Sequence, residues 1–233
     1  MENKIRFKTP IKWIAHRGLS YKAFQNSYTA FKLAAKLPFY GIETDVHETL
    51  DHVFVIHHDE SMLHTTGVDV KINQSTYEDL SKLTYKNTDE HIVLFEDYLK
   101  LCKTYQKKAI IELKPLFTSE MIASLLDVIK SNDYLEHCIF ISFELANLLR
   151  LRRINKDVSA QLLVTFFDDI IMDLCLDFNF ELNIDHIILN QALVDQIHQK
   201  GIKINCWTIR NKHEAIAYMN LGVDYITTDG FDE

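Results

Sequence analysis

The chain is sparing with the residues that punctuate or cross-link a polypeptide: six glycines, three prolines and four cysteines among 233 residues. No Pro/Gly/Ser-rich linker and no low-complexity tract divides it, so residues 1–233 read as one domain, long enough to bury one substantial core. Cys102, Cys138, Cys175 and Cys206 are widely separated and form no Cys-x-x-Cys pair. That spacing suggests neither a zinc cage nor a disulfide framework, and the four are expected as reduced core thiols. No run of about 18 apolar residues occurs, and the N-terminal MENKIRFKTP carries charge but no apolar signal segment. A basic face is missing too. The formal net charge is −8 and the cations are scattered, which argues against a nucleic-acid partner. These absences predict a cytoplasmic protein without stable membrane insertion, whose partner is a small molecule. They do not fix an oligomeric state.

What is present is a repeat of short apolar runs, each followed by an amphipathic segment. The strand candidates are residues 12–16, 41–46, 109–114, 138–143, 160–164, 185–189, 202–207 and 223–228. Helical stretches such as SYTAFKLAAKL, TSEMIASLLDVIKS, LANLLRLRRIN and QALVDQIHQKG lie between them, the last stopped by Gly201. Alternation of this kind implies parallel strands joined by helices. Eight units predict an α/β fold of the (β/α)8 TIM-barrel type, in which closure removes the open edges; a doubly wound open sheet is the alternative. One run, VFVIHH, follows GIETDV too closely for a helical crossover. It is expected to fold back as a small hairpin insertion after the second strand. With Asp51-His52 as a two-residue turn, Asp45 would face His58, and Glu43 would share that face by the two-residue alternation.

Polar residues gather at the ends of these strands, where barrel active sites form. They are His16-Arg17 after the first strand, Glu43 and Asp45 on the second, Glu112 and Lys114 on the third, and Trp207 on the seventh. Glu43, Asp45 and Glu112 would repel one another unless neutralised. All-oxygen ligation favours one divalent cation, Mg²⁺ or Ca²⁺ with Mn²⁺ as a further option; an ion-pair network with Arg17 and Lys114 is the other reading. His16 and His58 beside that cluster could exchange protons or serve as ordinary hydrogen-bonded residues. Arg17 and Lys114 suit an anion with several oxygens, such as phosphate. Trp207 is either core or the apolar wall of a substrate pocket.

The ordered pieces AHRG, GIETDV, the His-Asp pair after an apolar strand, IELK, SF, CWTIRN and GVDYITTD resemble the glycerophosphodiester phosphodiesterase family, from about Ile14 to Gly230. The resemblance implies a TIM barrel with a hairpin insertion and metal-dependent hydrolysis of glycerophosphodiesters to glycerol 3-phosphate and an alcohol. By similarity His16 and His58 are the acid/base pair, and Glu43, Asp45 and Glu112 are the metal ligands. Arg17 and Lys114 then contact phosphate, and Trp207 belongs to the substrate pocket. His16 is provisionally the base and His58 the acid. The chain departs from the family pattern at Phe24-Gln25-Asn26-Ser27, where an amide, Gln25, stands for the usual acid, and at Asp51-His52 and His64. Two rivals are a related barrel enzyme acting on phosphoinositides or sphingomyelin and a non-catalytic phosphodiester-binding barrel. The first would need a membrane-docking surface, and no basic amphipathic helix or exposed apolar loop is evident for it.

Overall fold

The computed structural model describes residues 11–231, so the charged N-terminal stretch lies outside the described residues. Its strands are β1 (Lys12–Ala15), β2 (Gly41–Glu48), β3 (Phe54–Ile56), β4 (Val93–Leu94), β5 (Lys108–Leu113), β6 (Cys138–Ser142), β7 (Ser159–Val164), β8 (Glu181–Asp185), β9 (Ile204–Ile209) and β10 (Tyr225–Thr228). Eight are parallel and paired on both sides, in the ring order β1-β2-β5-β6-β7-β8-β9-β10. Ile14 of β1 pairs with Thr227 on one flank and Gly41 on the other, and this closure excludes the open sheet.

The connecting helices begin beyond the C-terminal ends of the strands. Ser27, Thr118, Asp168, Asn190 and Asn211 each accept a backbone N–H of the first turn through a side-chain oxygen, a cap that contributes about 0.5–2 kcal/mol. Leu125, Leu126 and Ile129 of the helix after β5 share one buried cluster with Phe140 and Leu151, sealing the outside of the ring. Inside, Ile14, Ile110, Ile139, Ile141 and Leu163 pack together. A polar chain crosses the same interior: Thr227 Oγ1 donates to Asn205 at 3.0 Å, Asn205 to Gln161 at 3.0 Å, and Gln161 to Glu181 at 2.9 Å.

One strand lies elsewhere than the sequence predicts, and another is shifted by two residues. The sixth parallel strand is Glu181–Asp185, not residues 185–189. Leu182 and Ile184 bury outward while Asn183 points among the interior polar groups, so its signal was an alternation and not an apolar run. His186–Ile188 instead forms a 3-10 turn, held by the Asp185 carboxylate accepting from Ile187 N at 3.0 Å. The seventh runs from Ile204 to Ile209, which puts Trp207 within the strand and not at its end.

The hairpin register also differs. Thr49 N bonds Val53 O at 2.9 Å, and His52 takes the left-handed conformation (φ 60°), so the reversal uses three residues. Val46 then pairs with Ile56, and His57, not His58, lies opposite Asp45, to whose carbonyl it donates at 3.0 Å. Beyond the hairpin the insertion carries its own core of Val55, Met62, Ile72, Leu80, Tyr85 and Ile92. Exposed apolar loops are present as well: Leu116, Phe143, Phe166 and Ile187 stand in solvent after β5, β6, β7 and β8. Phe143 and Ile187 looked like strand residues in the sequence, which hid them.

Candidate active site

Parallel pairing sets Asp45 of β2 beside Glu112 of β5, and Glu43 lies two residues earlier on the same face. All three are buried, and one carboxylate oxygen from each lies within 4.8 Å of the others. Arg17 reaches them from the loop after β1. It adopts a left-handed backbone (φ 55°), as does Gly18 (φ 78°), where an added Cβ would meet the Ala30 carbonyl carbon at 2.6 Å. This tight turn directs Arg17 N to Glu43 Oε2 at 2.8 Å and places its Nε 3.2 Å from Asp45 Oδ2. Lys114, just past β5, lies 3.2 Å from Glu112 and 3.8 Å from Asp45. Asn26 donates to Asp45 Oδ2 at 2.7 Å.

The ion-pair reading of the acid trio is realised in part, and the cluster is also compatible with a divalent cation. Arg17 and Lys114 do bridge it, yet Glu43 Oε1 and Asp45 Oδ1 remain buried without a hydrogen-bond partner among the described residues. Two buried carboxylate oxygens without a hydrogen bond, one of them only 3.8 Å from the Lys114 ammonium, cost free energy in a protein interior, and an all-oxygen set of this kind fits a hard divalent cation. Electrostatics agree. Burial, then the charges of Asp45 and Glu112, push Glu43 well above the usual carboxylate range. Burial and Asp45 raise Glu112 to about 7. For Asp45 burial acts upward, but the Arg17 and Lys114 charges outweigh it and hold the group low.

Both histidines line one cavity of about 240 Å³, which Arg17, Glu43, Glu112, Lys114 and Trp207 also line. His16 Nδ1 and Asp229 Oδ1 are 2.5 Å apart; Asp229 in turn accepts from Arg210 Nε at 2.9 Å. His58 Nδ1 bonds Asp59 at 2.7 Å and its Nε2 meets Lys114 Nζ at 3.1 Å. Burial lowers both imidazoles, against the pull of Asp229 on His16 and of Asp45 on His58. His58 faces the cavity because β3 has ended at Ile56 and the chain has left strand geometry. His57 turns away to Thr65 and the Asp59 carbonyl. His58 and not His57 therefore lines the cavity, although the strand pairing expected to put it there is not the one that forms.

The far wall is apolar: Ile141, Phe143, Leu163 and Trp207, with Phe143 edge-on to Trp207 at 5.5 Å. Trp207 Nε1 and Asn183 Oδ1 are buried there without a partner among the described residues. Sequence reasoning missed Asp229, Asn26, Arg210, Phe143 and Asn183. Asp229 and Phe143 directly follow β10 and β6, so applying the strand-end criterion to every strand would have found both. Gln25, the amide in place of an acid, is turned to Arg17, accepting from its Nη1 at 2.7 Å.

Residues 16–233 match the model of the Glycerophosphoryl diester phosphodiesterase family. The chain is 30% identical to YhdW of Bacillus subtilis over 232 residues, covering 93% of each chain. It is 27% identical to the glycerophosphodiester phosphodiesterase of Caldanaerobacter subterraneus subsp. tengcongensis over 226 residues, again 93% of each. In fold it is similar to an Oleispira antarctica phosphodiesterase solved with the product sn-glycerol-3-phosphate. That likeness has a TM-score of 0.86 at 23% identity and covers 97% of this chain and 95% of that one. Among the described residues no helix is long and apolar enough to cross a membrane. With its closed barrel, and with a motif set that runs nearly end to end, the chain belongs to the glycerophosphoryl diester phosphodiesterase family.

Proposed function

We propose that this chain hydrolyses glycerophosphodiesters to glycerol 3-phosphate and an alcohol, with one divalent cation, Mg²⁺ or Ca²⁺ with Mn²⁺ also accommodated, held by Glu43, Asp45 and Glu112. When bound, that cation draws charge from the phosphate oxygens. The observation that carries this reading is the buried acid trio, two of whose oxygens lack a hydrogen bond, beside a cavity that both imidazoles line.

Arg17 and Lys114 hold the non-bridging phosphate oxygens, Arg17 with a forked donor and Lys114 as a point charge. Asp229 engages His16 Nδ1 and leaves Nε2 for the cavity, where it takes the proton of the attacking hydroxyl. The attacker is the neighbouring glycerol hydroxyl, already placed by the substrate's own bonds. His58 gives a proton to the departing alkoxide, and water then opens the resulting cyclic phosphate to glycerol 3-phosphate. His58 is the less buried of the two histidines and has Asp59 to stabilise its charged form, which suits it to carry that proton. Trp207 and Phe143 flank the glycerol carbons, and Asn183 Oδ1 accepts from a glycerol hydroxyl. A cytoplasmic setting belongs to this reading: four free buried thiols suit a reducing compartment, and cell fractionation tests it.

The test is release of glycerol phosphate from glycerophosphocholine, glycerophosphoethanolamine and glycerophosphoglycerol, with EDTA and with each cation added back. Release that stops in EDTA and returns with Mg²⁺ or Ca²⁺ supports the reading. Release undiminished by EDTA contradicts the cation's role, and no release under any condition contradicts the activity.

A further inference from the structure

Arg17 stands between an acid and an amide. Its Nε lies 3.2 Å from Asp45 Oδ2, yet that nitrogen has no hydrogen-bond partner. Among the described residues the guanidinium makes a single hydrogen bond, from Nη1 to Gln25 Oε1 at 2.7 Å. Arginine only donates, so the amide must present its oxygen, and Gln25 sets the direction of the fork. Gln25 is itself held by its neighbours. The backbone N–H of Asn26 donates to the Arg17 carbonyl at 3.0 Å, the Asn26 side chain donates to Asp45 Oδ2 at 2.7 Å, and Ser27 caps the helix Tyr28–Ala35. The loop after β1 thus closes on itself with Gln25 against the guanidinium.

A carboxylate in place of the amide would accept the same bond, and more strongly. The amide therefore matters for what it lacks, which is charge. With a divalent cation bound, Glu43, Asp45 and Glu112 are ionised, and Arg17, Lys114 and the cation together exceed them by a single positive charge. Asp229 and Arg210 offset each other at 2.9 Å, and Asp59, 38% exposed beside His58, is screened by water. A phosphodiester carries one negative charge and brings this centre to balance. A phosphomonoester, with about two near neutral pH, overshoots it. Were position 25 acidic, the surplus would be cancelled before any phosphate arrived.

We propose that Gln25 is a positioning residue that also sets the anion selectivity of this site: it fixes Arg17 through an uncharged acceptor and so preserves the surplus charge that binds phosphate. This rests on the phosphodiesterase reading above. The electrostatic penalty of an added carboxylate scales with the charge of the ligand. An acid at position 25 should therefore weaken a dianion about twice as much as a monoanion on a logarithmic scale, and should strengthen a bound cation. A change of shape or packing alone does not yield that pattern.

The experiment compares wild type, Gln25→Glu and Gln25→Met at about pH 8, where a phosphomonoester is a dianion, with a melting curve for each. Glutamate is isosteric with glutamine and position 25 is partly exposed, so the variants should melt near wild type. Calorimetry measures the affinity for Mg²⁺ and, at saturating Mg²⁺, for sn-glycerol 3-phosphate; steady-state kinetics gives KM and kcat on glycerophosphocholine. In Gln25→Glu the KM should rise about tenfold and the Kd of glycerol 3-phosphate about a hundredfold, while Mg²⁺ binds more tightly. Added salt should shrink these effects. Gln25→Met loses the acceptor and adds no charge, so kcat should fall about tenfold as the fork loses its alignment, with far less weakening of glycerol 3-phosphate than in Gln25→Glu. Equal weakening of diester and monoester, equal weakening by the two variants, or an unchanged Mg²⁺ affinity in Gln25→Glu overturns the proposal and leaves the phosphodiesterase reading standing. Binding of glycerol 3-phosphate in the expected order, without its release from any glycerophosphodiester, keeps Gln25 as the anion selector and removes the activity. A wild type that neither binds nor releases glycerol 3-phosphate removes both.

Discussion

The two walls of the cavity solve different problems with different materials. The wall from β1, β2 and β5 is almost wholly ionic: His16, Arg17, Glu43, Glu112 and Lys114, backed by Asp45, Asn26, Gln25 and Asp229. The wall from β6, β7 and β9 is Ile141, Phe143, Leu163 and Trp207. Its buried polar atoms, Asn183 Oδ1 and Trp207 Nε1, have no protein partner among the described residues. Charges that must meet a reacting phosphate are useful only when fixed in place, and burial with hydrogen bonding fixes them. Recognition of a carbon skeleton requires shape alone. The contrast predicts that damage to the ionic wall lowers kcat, while damage to the apolar wall raises KM.

The largest effect should come from His16→Ala or His58→Ala, each lowering kcat by about two to four orders of magnitude while the melting temperature stays near wild type. Near-normal turnover in either would remove that residue from the chemistry. Asp229→Asn should follow, lowering kcat by about a hundredfold with KM little changed. Asp229 is held at about 2 because the His16 and Arg210 interactions overcome its burial, and an amide can no longer fix the imidazole in its working tautomer. An unchanged kcat would reduce Asp229 to a surface ion pair.

The next effect is on stability. Glu43 and Glu112 are raised in the folded chain, Glu112 to about 7, from an unfolded value near 4.3. Their contribution is therefore fully present below about 4.3 and is lost as pH rises through about 7. A bound cation reverses that loss, because it prefers the ionised acids. The rise in melting temperature on adding Mg²⁺ or Ca²⁺ should be clearly greater at pH 8 than at pH 5.5; an equal rise at both would contradict the raised acids. The smallest effect belongs to the apolar wall. Phe143→Ala removes one edge-on aromatic contact, worth about 0.5–1.5 kcal/mol, so KM for glycerophosphocholine should rise about two- to tenfold with kcat nearly constant. A large fall in kcat would place Phe143 with the ionic wall.

How far the sequence could be read follows the same division. Charged residues at strand ends are conspicuous because a barrel interior accepts them only with a function, so Glu43, Asp45, Glu112, Arg17, Lys114 and both histidines were legible and do converge. Seven of the eight ring strands overlapped their observed positions over most of their length. The miss at Glu181–Asp185 has a physical cause: the interior at that level is polar, through Asn183, Asn205 and Gln161, so the strand shows alternation where an apolar run was sought. The hairpin slipped by one residue because His52 can adopt a left-handed conformation that lengthens the turn. The exposed apolar residues beyond β6 and β8 were illegible for a related reason. Phe143 and Ile187 adjoin strands, and hydropathy alone cannot tell a buried strand end from an exposed loop tip.

The central claim is that Glu43, Asp45 and Glu112 jointly hold one divalent cation beside the phosphate. Its most direct test is calorimetric titration of the wild-type chain and of Glu112→Gln with Mg²⁺ and Ca²⁺, alongside a melting curve for each protein. The account predicts one site per chain in the wild type, and at least about tenfold weaker binding in a variant that melts normally. Equal affinity in the two proteins, or a wild type that binds neither ion while cleaving glycerophosphodiesters in EDTA, would contradict it.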